Sequence, residues 1–214
     1  MAYLLHGAWR ASAPYRVRIG LALKGVAYGY AAIDLLAGQQ RDPAYLAINP
    51  QGLTPALDLG DGHVLTQSLA ILEWLEETRP TPPILPRSAL DRATVRAMAA
   101  IVTCDIHPLN NTRVGRKLIT EMGHTEVEYI AWMKGWMVEG FDALEPLVAR
   151  HGGRFAFGDA PTLADCCLIP QVYGANRYGL DLSPWPAIAG VAAGAAEHPA
   201  FLAAHPNAQP DAKP

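Results

Sequence analysis

The chain has 214 residues, of which half are hydrophobic, and its formal net charge is −3. Such a chain can bury one substantial hydrophobic core or two smaller ones, so an intrinsically disordered protein is not expected. Lysine and arginine form no basic block, which argues against a nucleic-acid-binding protein and against a basic membrane surface. No apolar run approaches the roughly 20 residues of a membrane-spanning helix, and strand-like residues stand where a signal peptide would begin. We therefore expect a cytoplasmic protein whose partners are small molecules.

The three cysteines are Cys104, Cys166 and Cys167. A disulfide between the two adjacent cysteines would be strained, so all three are expected to be reduced thiols. Their apolar helical surroundings favour buried structural thiols over redox groups. Their spacing suits no metal site, and no bound metal is predicted.

The first part of the sequence predicts alternating strands and helices. Pro14 suits the first turn of a helix, and Lys24-Gly25 is a typical helix end. The predicted elements are a strand at Tyr3 to His6, a loop at Ala8 to Ala13, a helix from Pro14 to Lys24, a strand at Tyr28 to Ile33, a loop at Asp34 to Arg41 and a helical turn at Ala44 to Ile48.

The stretch from Asn49 to Trp74 carries the strongest binding signals. Pro55 enters a short apolar run, and because proline donates no ladder hydrogen bond, its backbone is expected to face a cleft or a bulge, after a cis peptide bond. Asp61-Gly62 predicts a hairpin turn, and Ser68 is interpreted as the N-cap of the next helix. Unpaired amides at a helix start attract carboxylates, and an exposed strand edge beside Pro55 can pair with peptide backbone. The stretch therefore predicts a binding site for a small acidic peptide.

These elements follow the order βαβαββα, which is that of an α/β thioredoxin-like domain. We assign this domain to residues 1–80. Four prolines between Arg79 and Pro86 predict a semi-rigid connection, so residues 81–86 are assigned to a linker. Strand signals are sparse beyond it, and residues 87–214 are predicted to form an all-α domain.

The helices of this second domain are predicted from three stretches with helical apolar periodicity and from one helix-start motif. Thr162 and Asp165 form a capping box, which is a specific signal for the beginning of a helix. The predicted helices are Arg92 to Leu118 with a kink at Pro108, an apolar stripe from Val127 to Leu144, a segment from Thr162 to Val172 that Pro170 interrupts, and a last helix near Ile188 to Glu197.

Several segments resemble a known family along nearly the whole chain. They are WRASAPYRVRIGLALKG, NPQGLTPAL, LTQSLAILEWLEETRPTPPILP, CDIHPLNN, FGDAPTLADCCLIPQV and AHPNAQPDA. Together they resemble the zeta-class glutathione transferases, the group that contains the maleylacetoacetate and maleylpyruvate isomerases. The resemblance implies a thioredoxin-like domain followed by a helical domain, glutathione as cofactor, and a homodimer. Apolar faces on two long predicted helices also favour a homodimer.

The resemblance also implies roles for individual residues. Gln67 and Ser68 would hold the γ-glutamyl carboxylate of glutathione, and Thr54, next to Pro55, would pair with its peptide backbone. Four further residues match positions that touch glutathione or frame its cleft: Gln40, Gln51, His107 and Asn111. For His107 a purely structural hydrogen bond is an equal alternative.

Three arginines match positions that resemble the carboxylate-binding residues of the isomerases: Arg10, Arg113 and Arg177. Arginine pairs with carboxylates through two parallel hydrogen bonds, which fixes a dicarboxylate in position. Surface solvation or ion pairing is the alternative role for such residues. The resemblance favours substrate binding.

The expected catalytic loop departs from the family pattern. The family commonly has Ser-Ser-Cys-Ser after the arginine, whereas this chain has Ala11, Ser12, Ala13 and Pro14 after Arg10. A glutathione thiolate needs a hydrogen-bond donor and a positive helix end, so Ser12 is predicted to be the main donor to the sulfur, with Arg10 beside it. The missing cysteine argues against thiol transfer or reductive dehalogenation through a mixed disulfide.

The sequence thus predicts a glutathione-dependent cis-trans isomerase of a maleyl-type dicarboxylate. Two alternatives stay open: a transferase or peroxidase that acts on apolar electrophiles, and a glutathione-binding protein with reduced catalysis. The three arginines favour the isomerase, because an apolar electrophile would gain nothing from them.

Overall fold

The computed structural model describes residues 3–213. This part of the chain separates into two compact units. The first runs up to Ile84 and also includes the segment from Glu197 onward, and the second is Leu85–Ala196. No helix within residues 3–213 is long and apolar enough to cross a membrane.

The first unit is built on a four-stranded mixed sheet with the strand order β2-β1-β3-β4. Strands β1 and β2 are parallel, and β3 is antiparallel to both β1 and β4. Helix α1 crosses between the parallel strands, as their connection requires. The elements are β1 (Tyr3–Gly7), α1 (Ser12–Leu23), β2 (Tyr28–Ala32), a 3₁₀ turn (Gln39–Arg41), α2 (Pro43–Ile48), β3 (Ala56–Asp58), β4 (Val64–Thr66) and α3 (Ser68–Thr78).

The core of this unit lies where α1 and α3 pack against each other. A Cβ at Gly20 would clash with the Leu72 side chain, so the present close approach of the two helices depends on a glycine unless Leu72 shifts. Leu72 and Leu75 of α3 are fully buried, as their helical spacing indicates.

Helix α1 begins two residues earlier than predicted. Ala11 is extended, with φ −74° and ψ 131°, and its carbonyl accepts the Tyr15 amide at 3.1 Å. Ser12 and Ala13 therefore belong to the helix and not to the preceding loop. Pro14 still lies in the first turn, where its missing N–H removes no helical hydrogen bond.

The cis peptide bond before Pro55 is present, but β3 is not an exposed edge. It lies between β1 and β4, and the edge strands of the sheet are β2 and β4. The predicted edge is therefore restricted to the residues that precede Ala56.

The second unit is helical. Its elements are α4 (Ala89–Ala100), a π-helical segment (Ile101–Ile106), α5 (Thr112–Thr120), α6 (Glu126–His151), α7 (Leu163–Arg177) and α8 (Pro186–Ala196). The single kinked helix predicted for Arg92 to Leu118 is thus divided into three parts. Conversely, α7 continues through Pro170, where an interruption was expected.

The predicted capping box at the start of α7 is confirmed. Asp165 Oδ2 accepts the Thr162 N–H at 2.8 Å and the Thr162 hydroxyl at 2.9 Å, while Oδ1 accepts the Ala156 N–H at 2.7 Å. Asp165 is fully buried, and this burial raises its pKa to about 6 in spite of the three hydrogen bonds. One carboxylate thereby fixes the helix start and the preceding loop.

Cys166 and Cys167 are buried, as expected, but Cys104 is exposed. Cys104 lies in the π-helical segment, where the register of the apolar face changes relative to an α-helix. A periodicity of 3.6 residues therefore assigned it to the wrong face.

The end of the chain departs from the predicted domain boundary. Residues from Glu197 onward belong to the first unit and not to the helical domain predicted for residues 87–214. Helix α9 (Pro199–Ala204) had no sequence signal of its own, and Arg18 Nε of α1 donates to the Ala204 carbonyl at 2.9 Å. Arg18 is completely buried. The segment from Glu197 onward, the returning segment, therefore completes the surroundings of a buried cation.

Candidate functional site

The start of α3 has an unusual backbone. Gln67 has φ 68° and ψ 115°, and among residues 3–213 it is the only residue other than glycine with a positive φ. Such a conformation is costly and is concentrated at functional sites. Gln67, and not Ser68 as predicted, is the N-cap, and it makes no side-chain cap hydrogen bond. The first amides of α3 are thus left for another acceptor.

A buried arginine lies directly beneath this helix start. Arg16 of α1 is 2 % exposed, and its Nη1 donates to Ser68 Oγ at 3.4 Å. Its positive charge adds to the positive end of the α3 dipole, so the site favours an anion. Sequence analysis missed Arg16, although an arginine inside an otherwise apolar helix was an available signal.

The segment before β3 completes one side of this site. Ala56 pairs with Thr66, and Thr54 and Ser68 each lie two residues beyond this pair, at the same end of the β3–β4 pairing. Within residues 3–213 neither the N–H nor the carbonyl of Thr54 has a hydrogen-bond partner. The Leu53 carbonyl, in contrast, accepts from the Tyr45 hydroxyl at 2.7 Å and from Asn49 Nδ2 at 2.6 Å. The Leu53 carbonyl is thus already paired, whereas the Thr54 backbone remains available to pair with an extended peptide.

Gln51 and Gln40 flank the same site. Gln67 Nε2 donates to Gln51 Oε1 at 2.7 Å, which brings two of the predicted glutathione residues into contact. Gln40 lies in the 3₁₀ turn, and a Cβ at Gly52 would lie 2.8 Å from its carbonyl oxygen. Gly52 also has φ +60°, so a glycine is required for this packing. The structure thus brings Gln51 and Gln67 into contact beside Ser68, with Thr54 at the same end of the β3–β4 pairing and Gln40 packed against Gly52.

The predicted catalytic loop lies at the start of α1. Ser12 is the first helical residue, and its hydroxyl has no partner among the described residues. Ala11 offers no side-chain cap, so the first amides of α1 are open in the same way as those of α3. Arg10 is exposed, and its guanidinium lies 5.3 Å from the centre of the Trp9 ring. A cavity of about 420 Å³ adjoins Trp9, Arg10 and Ala11.

The other predicted residues lie in the helical unit. His107 follows the π-helical segment and is half-buried. Asn111 caps α5, since its Oδ1 accepts the Arg113 N–H at 3.0 Å. One acceptor of Asn111 is therefore used structurally.

Arg113 and Arg177 both lie near Tyr129. Arg113 lines a cavity of about 850 Å³ together with Tyr129 and Trp132. Arg177 is the last residue of α7 and stacks on Tyr178, with 5.2 Å between the guanidinium and the ring centre. Burial raises the pKa of Tyr129 to about 12, while the charge of Arg177 lowers it slightly, so this tyrosine remains a neutral donor. Arg113 thus shares a cavity with Tyr129, and Arg177 is near enough to influence the pKa of Tyr129, although it does not line that cavity.

Comparisons with known proteins identify the family. Models of the glutathione S-transferase N-terminal and C-terminal domains match residues 12–78 and 130–208. A maleylpyruvate isomerase of a Ralstonia species is 50 % identical over 97 % of this chain and 98 % of its own length. A holo structure of a bacterial zeta-class maleylpyruvate isomerase has a TM-score of 0.96 at 50 % identity, covering 98 % of this chain and 100 % of the other.

The chain belongs to the zeta-class glutathione S-transferases. A maleylacetoacetate isomerase of this family from Anaeromyxobacter dehalogenans, with dicarboxyethyl glutathione and citrate bound, has a TM-score of 0.89 at 45 % identity, covering 100 % of this chain and 98 % of the other. The predicted family and the predicted fold class are confirmed. The departure from the usual zeta-class loop, with Ala11 and Ala13, is a property of this member of the family.

Proposed function

We propose that the chain is a glutathione-dependent isomerase that converts a maleyl-type dicarboxylate into its fumaryl isomer. The strained start of α3, with Arg16 beneath it and the Thr54 backbone, unpaired within residues 3–213, at the same end of the β3–β4 pairing, is the observation that supports glutathione binding. Gln67 and Ser68 would hold the γ-glutamyl carboxylate, and Thr54, before Pro55, would pair with the cysteinyl backbone. Gln40, Gln51, His107 and Asn111 would frame the bound tripeptide.

The reaction requires no net oxidation or reduction. The glutathione sulfur adds to one alkene carbon, so a C–S bond forms, and the electron pair of the double bond moves onto the neighbouring carbonyl. The remaining single bond rotates, the C–S bond breaks, and the double bond returns in the trans form with glutathione regenerated. The dicarboxyethyl glutathione bound to the A. dehalogenans relative is a thioether of this kind.

Each group of residues has a distinct task in this mechanism. The Ser12 hydroxyl and the open amides of α1 stabilise the thiolate, because hydrogen bonds and a positive helix end favour the ionised thiol. Arg10, Arg113 and Arg177 fix the two carboxylates of the substrate. Binding of the carboxylates orients the double bond toward the thiolate, and the later rotation moves one end of the substrate relative to the other.

The two alternative functions give different products. An isomerase leaves the glutathione concentration unchanged while the fumaryl product accumulates. A conjugating transferase or peroxidase consumes glutathione, and a protein with reduced catalysis binds glutathione without either change. Incubation with maleylpyruvate or maleylacetoacetate, in which both glutathione and the fumaryl product are measured, distinguishes the three functions. The ratio of the two kcat/KM values then identifies the better substrate.

Arg177→Met is expected to raise KM for the maleyl substrate while leaving glutathione affinity nearly unchanged. The loss of charged hydrogen bonds corresponds to roughly 1.5 to 3 kcal/mol, or a change of about tenfold to a hundredfold in KM. Steady-state kinetics measures KM, and calorimetric titration measures the glutathione Kd. Equal losses in both quantities would indicate damage to the fold and would count against the assignment.

Ser68→Ala provides the matched control, since it is expected to show the opposite pattern. Removal of its hydroxyl weakens the glutathione carboxylate site by roughly 1.5 to 3 kcal/mol. The KM of the maleyl substrate at saturating glutathione should change little. An unchanged glutathione Kd in this variant would contradict the placement of the tripeptide at α3.

We also propose that the protein is a homodimer in the cytoplasm. The family resemblance supports the dimer, and the requirement for reduced glutathione supports a reducing compartment. Sedimentation at low micromolar concentration is expected to give a mass near twice the 23.0 kDa of the chain. A monomer that binds glutathione fully would contradict the dimer.

A further inference from the structure

The backbone of Trp9 is held from two distant segments of the chain. Its N–H donates to Asp211 Oδ2 at 3.0 Å, and the two residues are 202 positions apart. Its carbonyl accepts from Arg18 Nη2 at 2.7 Å. Asp211 Oδ2 also accepts the Tyr30 hydroxyl at 3.3 Å. The peptide groups on both sides of Trp9 are thus fixed immediately before Arg10.

The loop that follows has few restraints of its own. Within it, the Ala11 amide donates to the Ala8 carbonyl at 3.1 Å. Ala11 and Ala13 carry no polar side chain, and α1 has no side-chain cap. A loop with few internal bonds is held in one conformation only by external contacts. Asp211 and Arg18 supply such contacts.

The charges around Trp9 also indicate a positional role. Arg18 is completely buried, and its Nη1 has no partner among residues 3–213. Asp211 Oδ1 is likewise buried without a partner within that range. Arg18 is a buried charge and Asp211 is half-buried, and charges with incomplete hydrogen bonding often contribute little to stability. Their contribution is better explained by the position that they impose on the Trp9 backbone.

We propose that Asp211 is a positioning residue for the catalytic loop, which acts through the Trp9 amide to set the placement of Arg10 and Ser12. This inference rests on the proposed function. Asp211 belongs to the returning segment, so the end of the chain takes part in the chemistry at its beginning. Burial and the Asp211 carboxylate together raise the pKa of Tyr30, which therefore remains a donor to Asp211.

The test compares three substitutions at one position. Asp211→Ala removes the acceptor of the Trp9 amide, Asp211→Asn retains an oxygen for it, and Asp211→Glu keeps the charge opposite Arg18 but moves the oxygen. Asp211→Ala is expected to lower kcat about fivefold or more and to raise the thiol pKa of bound glutathione, with the glutathione Kd within about twofold. Asn should restore most of the parental kcat and thiol pKa, whereas Glu should not.

Lys213→Ala is the matched control in the same segment. Lys213 is exposed and pairs with Asp34 at 3.3 Å. It lines the same cavity as Trp9, but among the described residues it makes no hydrogen bond to the Trp9 backbone. The Lys213→Ala variant should leave kcat and the thiol pKa of bound glutathione unchanged. If Asp211→Ala does not fold, Asp211→Glu still tests the proposal, because it displaces the acceptor of the Trp9 amide and keeps the negative charge.

Three outcomes would overturn the positioning role. They are an unchanged thiol pKa in the alanine and glutamate variants, equal damage from asparagine and alanine, and a proportional loss of kcat and glutathione affinity. The thiol pKa is measured with glutathione alone, by the ultraviolet absorbance of the thiolate. Failure of the parent protein to isomerise a maleyl substrate would therefore refute the proposed function without deciding the role of Asp211.

Discussion

Glu76→Ala is expected to lower the free energy of unfolding by about 3 to 5 kcal/mol. Lys24 Nζ lies 2.6 Å from Glu76 Oε2, and the two side chains are 0 % and 7 % exposed. Alanine would leave the buried ammonium of Lys24 without its counter-ion, and the desolvation of an unpaired charge is costly. Since a domain has a total stability of roughly 5 to 15 kcal/mol, this single change would remove a large part of it.

The same pair also fixes the proline-rich connection. Lys24 Nζ donates to the Pro82 carbonyl at 2.6 Å, and Glu76 Oε2 accepts the Ile84 N–H at 2.9 Å. The end of α1, the end of α3 and the segment that leaves the first unit therefore meet at one ion pair. Its removal should loosen all three.

Urea denaturation followed by circular dichroism measures this effect, and a double variant provides its control. Lys24→Met with Glu76→Leu replaces both charges by apolar side chains of similar size, which is expected to recover most of the lost stability. A double variant as unstable as Glu76→Ala would show that the ion pair itself, and not the unpaired charge, determines the result.

Ser12→Ala is expected to have the largest effect on catalysis. Among the described residues the Ser12 hydroxyl has no partner, and Ala11 and Ala13 offer no replacement donor. Loss of a hydrogen bond to a charged sulfur corresponds to roughly 1.5 to 3 kcal/mol, so kcat should fall by about tenfold to a hundredfold. The thiol pKa of bound glutathione should rise, which moves the pH dependence of kcat to higher pH.

Ser12→Thr is the control, because it retains the hydroxyl. It should keep most of the parental thiol pKa, and both variants should bind glutathione with a Kd close to the parental value. Ultraviolet titration of the bound thiol compares the three proteins. If the alanine variant ionised glutathione as readily as the parent, the amides of α1 or Arg10 would be the activating groups, and Ser12 would have no catalytic role.

Local signals in the sequence were sufficient for much of the fold and for the contact of Gln51 with Gln67 in the candidate site. Thr162 and Asp165 predicted a helix start that depends on neighbouring residues only, and the structure has it. Strand and helix periodicities gave the order of the first unit, because each reflects one buried face. The cis bond before Pro55 was likewise a local property of one dipeptide.

The errors arose where distant contacts decide the conformation. Gln67, and not Ser68, occupies the N-cap position, and its side chain contacts Gln51, which is 16 residues away. Pro170 lies inside α7, whose residues are almost all buried, and tertiary packing there outweighs the missing hydrogen bond. Arg16 was overlooked because its partner Ser68 is 52 residues away.

The return of the chain to its first unit has a consequence for biosynthesis. The contacts of Arg18 with Ala204 and of Trp9 with Asp211 join residues that are 186 and 202 positions apart, so both close very long loops. A ribosome releases the N-terminal residues first, and the continuous helical unit emerges completely before the segment that begins at Glu197. The nascent chain can therefore complete its strands and its helical unit early, whereas the loop that carries Arg10 and Ser12 acquires its final restraint only after the segment that contains Asp211 has been synthesised.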